Sequence, residues 1–124
     1  MEEWQLDFEW LRIRHYVKDS MQKKELPSFN TILLLIGIQE LGRYQSDFTK
    51  EEKQDLMHIA VCRLLQDDGY YEWVGRDEDG WPHYKQLRAF TLTGVKTQEV
   101  FLKKKIIGYF DLHQSEMNSI SEEE

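Results

Sequence analysis

Cysteine is nearly absent from this chain: Cys62 is the only one in 124 residues. A single thiol closes no internal disulfide and cannot build a zinc site from several thiolates, and it fits a reducing compartment. Proline is as scarce, with only Pro27 and Pro82, which leaves room for long helices on either side. The seven glycines are scattered and form no phosphate-cradling loop. The longest apolar run, Ile32 to Ile38, falls far short of the roughly 20 residues needed to span a bilayer. Positive charge is in deficit, with 16 Lys and Arg against 23 Asp and Glu and a net charge of -7. Such a surface has no general attraction to nucleic acid or anionic lipid. The segment Met1 to Asp7 is acidic, where a secretory leader needs basic residues followed by an apolar stretch. The expectation is a cytoplasmic protein, free of membrane and cofactor.

Apolar mass is ample. Hydrophobic residues make up 40% and aromatics 13%, enough for one packed core and too much for a disordered chain. Residues 1–113 are expected to form a single globular domain, and 114–124, ending in Ser121-Glu122-Glu123-Glu124, an acidic flexible tail. From Trp4 to about Met21 the residues Leu6, Trp10, Ile13, Val17 and Met21 recur at helical spacing. Trp4, Phe8 and Leu11 form a second apolar stripe on roughly the opposite side. A surface helix needs one apolar face, so the second is buried elsewhere in the fold or meets another chain.

Ser28 is placed to cap a second helix, from Phe29 to about Tyr44, that is apolar almost all the way round. Within it Gly37 would let a neighbouring backbone approach closely. Thr49 and Glu52 have capping-box spacing for a third helix running to about Gln66, with Leu56, Met57, Ala60, Val61 and Leu64 on its buried side. Gly69 suits the left-handed position after its C-terminus. An aromatic-rich hairpin is predicted from Gly69 to Arg88. Tyr70 to Val74 make its first strand, Asp79-Gly80 its turn and Trp81 to Lys85 its return. Pro82 confines the return strand to an edge. A last helix covers about Lys96 to Leu112. The fold class is mainly α with a small β-hairpin (α+β).

Leu64-Leu65-Gln66-Asp67-Asp68-Gly69-Tyr70-Tyr71, the loop Arg76 to Gly80, and Phe90-Thr91-Leu92-Thr93-Gly94 follow one another in an order that resembles winged-helix transcription regulators. The resemblance covers about Thr31 to Phe110 as a pattern. It implies a wing made of the hairpin and DNA binding by the helix before it. The charges depart from that pattern. Between Ser46 and Gly69 stand Asp47, Glu51, Glu52, Asp55, Asp67 and Asp68 against Lys50, Lys53 and Arg63, and the wing tip adds Asp77, Glu78 and Asp79. Acidic groups facing phosphates cost affinity.

His58 and Cys62 lie four residues apart on the third helix, a spacing that serves a shared metal or a thiol–imidazole pair when a third group completes it. No third group is evident, and a boundary histidine beside a half-buried thiol is the plainer reading. Asp77-Glu78-Asp79-Gly80 lacks the alternating ligands and closing Glu of a calcium loop. Lys96, Lys103, Lys104 and Lys105 form the densest basic patch, most simply a solvated helix face. The hairpin aromatics Tyr71, Trp73, Trp81 and Tyr84, with Trp4, Phe8 and Leu11 of the first helix, are the candidate interaction surface. Cross-strand ring pairs that only stabilise the hairpin are the alternative. The composition therefore points to a non-enzymatic interaction module whose partner is a protein or a second copy. A winged-helix regulator and a small metal- or thiol-dependent enzyme stand as alternatives.

Overall fold

The computed structural model describes the chain apart from residues 44, 46, 91 and 124, with side chains described through residue 112. Its elements run α1 (Glu3–Ser20), α2 (Phe29–Leu41), α3 (Lys50–Gln66), β1 (Tyr71–Arg76), β2 (Pro82–Gln86) and α4 (Val95–Glu123). This is the expected mainly helical α+β class. No helix among the described residues is long and apolar enough to cross a membrane. The chain divides into two compact units, one of Met1–Leu26 with Thr93–Glu124 and the other of Pro27–Leu92.

In the first unit, the Gln5 side chain accepts from the Glu2 backbone N–H at 2.8 Å and so closes the start of α1. Leu6, Trp10, Ile13 and Val17 are buried, as their spacing predicts. Met21 falls beyond the helix, at its C-cap, and is exposed. α1 packs on α4 through an edge-to-face contact of Tyr16 with Phe110, centroids 6.1 Å apart. The backbone of α4 stays helical past the expected end at Leu112. The side chains of the expected tail, 114–124, lie outside the described residues.

The second unit is organised by one close approach. Ser28 caps α2 by accepting from the Thr31 N–H at 3.2 Å. Ile32, Leu33, Ile36, Gly37 and Leu41 of that helix are buried. A Cβ added at Gly37 would stand 2.1 Å from the Leu56 carbonyl oxygen of α3, so only glycine allows this backbone contact. α3 opens with the predicted capping box, Glu52 N–H to Thr49 Oγ1 at 3.1 Å and Thr49 N–H to Glu52 Oε1 at 2.9 Å. Its buried residues are Leu56, Ile59, Ala60, Cys62, Leu64 and Leu65. Met57 and Val61 are only half-buried, because the hairpin and α2 together cover a side of α3 displaced from the one expected.

Gly69 takes the left-handed conformation, with φ of 79°, and the chain turns into an antiparallel hairpin. Tyr71 pairs with Gln86, Trp73 with Tyr84 and Arg76 with Pro82, with an irregularity between Trp73 and Gly75. Leu41, Leu56 and Ile59 form a core cluster on which Leu34, Ile38, Phe48, Trp81 and Tyr84 pack. Replacing Gly37 with alanine forces α2 away from the Leu56 backbone. Urea unfolding followed by tryptophan fluorescence is expected to show a loss of about 1–3 kcal/mol, as for overpacked cores.

Candidate functional site

Three surfaces contain the residues singled out by the sequence. The first is the outer face of α1. Its N-terminal side presents Trp4 and Phe8, 68% and 64% exposed, and Leu11 at 43%. An open groove of ≈ 690 Å³ runs beside them, lined by Met1, Trp4, Gln5, Phe8, Glu9, Ile107 and Asp111. Arg12 fixes its rim, reaching Asp111 at 2.8 Å and Glu9 at 2.6 Å. These carboxylates, Asp111 foremost, raise the guanidinium pKa further. Helical periodicity forces this exposure: with Leu6, Trp10, Ile13 and Val17 turned inward, residues 4, 8 and 11 must turn outward.

The second surface is the hairpin. Trp73 and Tyr84 are register partners and meet edge to face, centroids 5.4 Å apart. Tyr71 sets its ring against His58 at 6.0 Å. Trp81 and Tyr84 are half-buried on the core cluster, and burial pushes the Tyr84 phenol up to about 12. Among the described hairpin aromatics only Trp73 is largely exposed, at 44%. Arginines, unremarked in the sequence, complete the arrangement. Arg76 stacks over Trp73 at 5.8 Å. It also donates to the carbonyls of Glu40, Leu41 and Gly80 at 2.8, 3.1 and 2.8 Å. Arg43 lies over Trp81 at 6.0 Å and donates to the Asp79 carbonyl at 3.0 Å. Arg88 lies over Tyr70 at 4.2 Å and donates to the Asp68 carbonyl at 2.7 Å.

The acidic hairpin tip has a structural role. Asp77 Oδ1 accepts from the N–H groups of Asp79 and Trp81 at 2.9 and 3.0 Å, and Oδ2 meets His83 Nε2 at 2.9 Å. The His83 contact, then the turn amides, hold the Asp77 carboxyl below its ordinary value.

The third surface is a cleft of ≈ 380 Å³ between α3 and the hairpin, into which His58, Cys62, Asp55, Asp77 and His83 all face. His58 is exposed, and its Nε2 lies 3.5 Å from the Cys62 sulfur. Cys62 is fully buried rather than half-buried, and burial pushes its thiol up to about 11. A thiol so raised is protonated at neutral pH and is a poor nucleophile and metal ligand. No group of three or more His, Cys, Asp or Glu able to hold a metal occurs among the described residues.

The lysines do not form one patch, because three consecutive helical residues point about 100° apart. Lys103 pairs with Glu99 at 3.5 Å and lies over Trp10 at 5.3 Å, and Lys105 lies over Phe101 at 5.5 Å. Lys96 and Lys104 are exposed. No protein-family model, curated protein or solved structure matches the chain.

Two outcomes follow from the cleft and the turn. Iodoacetamide at pH 8 is expected to leave Cys62 unmodified in the native protein over hours and to alkylate it within minutes in denaturant; rapid native labelling would show an accessible thiolate. The lowered Asp77 pKa adds stability that is complete above the ordinary carboxyl value of 3.8 and is lost as pH falls through the folded value. The difference in melting temperature between the wild type and Asp77→Asn should therefore shrink steadily from pH 5 to pH 2.

Proposed function

We propose that this chain is a non-enzymatic interaction module that binds protein through the outer face of α1, most simply by self-association. The supporting observation is the exposed row Trp4, Phe8 and Leu11 on a helix whose opposite face is already buried. Large side chains of this kind each contribute roughly 1.5–3 kcal/mol when fully covered. Association must first offset about 4–15 kcal/mol of lost freedom. One such row falls near that cost, whereas a symmetric dimer brings two copies of the same row together. Trp73 on the hairpin is a secondary contact in this reading, since its ring is partly engaged by Tyr84 and Arg76.

The winged-helix resemblance would add nucleic acid as a partner. The acidic balance of α3 and of the turn from Asp77 to Asp79 opposes a phosphate backbone, so protein is the proposed partner class. The raised pKa of the buried Cys62 thiol argues against thiol chemistry. Sedimentation equilibrium from micromolar to millimolar concentration tests the proposal. The wild type is expected to show mass rising with concentration, and Phe8→Asp to remain monomeric with an unchanged far-ultraviolet dichroism spectrum. A wild type that stays monomeric throughout, indistinguishable from Phe8→Asp, refutes it.

A further inference from the structure

The cleft between α3 and the hairpin lacks a reactive thiol, yet its lining has the character of a ligand site. Its volume of ≈ 380 Å³ lies within the range of about 300–1,000 Å³ usual for small-ligand sites. The buried Ile59 and Pro82 and the half-buried Trp81 and Tyr84 give it apolar walls. Asp55, His58, Asp77 and His83 supply its polar side chains. No lysine or arginine is among the described residues that line it. With both imidazoles uncharged, the lining carries two negative charges and no positive one.

The two carboxylates differ in what already holds them. Asp77 is engaged by the turn amides and by His83. Asp55 is exposed and enters no ion pair or hydrogen bond among the described residues. Nothing along α3 compensates it. Its neighbours at i−4 and i−3 are the acidic Glu51 and Glu52, and those at i+3 and i+4 are His58 and Ile59. The helix dipole accounts for Glu51 and Glu52 in the first turn; its influence fades before Asp55 is reached. The arginines of the same unit are committed elsewhere. Arg43 and Arg76 donate to backbone carbonyls, and Arg63 pairs with Glu40 at 2.9 Å.

We propose that this cleft binds an organic ammonium ion, whose charged nitrogen donates to the Asp55 carboxylate while its hydrocarbon part lies against Ile59, Pro82 and Trp81. An uncompensated carboxylate at the rim of an apolar cleft selects a cation with several N–H donors, because charge-assisted hydrogen bonds are the strong ones. The apolar walls select the hydrocarbon stem, which leaves water on entering. An anion would meet Asp55 and Asp77 and find no lysine or arginine. A metal ion would lack ligands, since no group of three or more candidate donors occurs among the described residues. The site lies wholly within the unit Pro27–Leu92 and is independent of the outer face of α1. Such an ammonium group reaches it either on a free amine or on the lysine side chain of a protein.

Heteronuclear NMR titration of the full chain at pH 7.5 tests the site, with butylammonium, butanol, butyrate and N-acetyl-lysine methylamide as probes. Butylammonium is expected to give saturable shifts at the amides of Asp55, His58 and His83 and at the Trp81 indole. It should bind at least threefold more tightly than butanol, and butyrate should give no saturable shift. Asp55→Asn, at an exposed helical position, should keep the native spectrum and weaken butylammonium at least threefold. Binding of the blocked lysine as well would support the site with a protein side chain as occupant; its exclusion, with butylammonium still bound, would support a free amine. The proposal is overturned by the absence of saturable shifts with butylammonium, by equal binding of butanol or butyrate, or by an Asp55→Asn variant that binds as the wild type does.

Discussion

α2 is apolar around nearly its whole circumference, so it has to be covered on several sides at once, and the contact that makes this possible is backbone to backbone. With no side chain at Gly37, the carbonyl of Leu56 comes where a Cβ would otherwise stand. That approach draws Leu41 of α2 together with Leu56 and Ile59 of α3 into the cluster on which Trp81 and Tyr84 rest. It also sets the C-terminal end of α2 within reach of the hairpin. The carbonyls of Glu40 and Leu41, at the end of a helix that leaves its last carbonyls without intrahelical partners, accept from Arg76. The seat of the hairpin and its anchor therefore both depend on two helices meeting at a glycine.

Local chemistry was readable from the chain to the extent that it acts over a few residues. The i,i+3 and i,i+4 recurrence of Leu6, Trp10, Ile13 and Val17, the box of Thr49 and Glu52, the left-handed Gly69 and the Asp-Gly turn each involve groups less than two helical turns apart, and each is found where expected. What escaped was tertiary. Arg76 reaches carbonyls 35 and 36 residues away, and no spacing rule flags a long cation that ends on backbone oxygens. The depth of Cys62 was underestimated for the same reason. Its helix position places it at the edge of the apolar stripe, and only the hairpin packed across α3 encloses it. The arginine over Tyr70 and the one over Trp81 show the residual clue: three arginines lie in or near an aromatic-rich segment, and stacking on ring faces is a common use of such pairs.

The aromatic content of a segment is thus a poor measure of its availability. A two-stranded hairpin is marginal in isolation, and this one is held by spending its rings: Tyr70 and Trp81 under arginines, Tyr71 against His58, Tyr84 against Trp73 and the core. A helix such as α1 has no such need. Its backbone hydrogen bonds are satisfied internally, one buried stripe suffices to hold it, and whatever stands on the opposite face is left over from the demands of folding. Trp4 and Phe8 in that position are unexplained by stability.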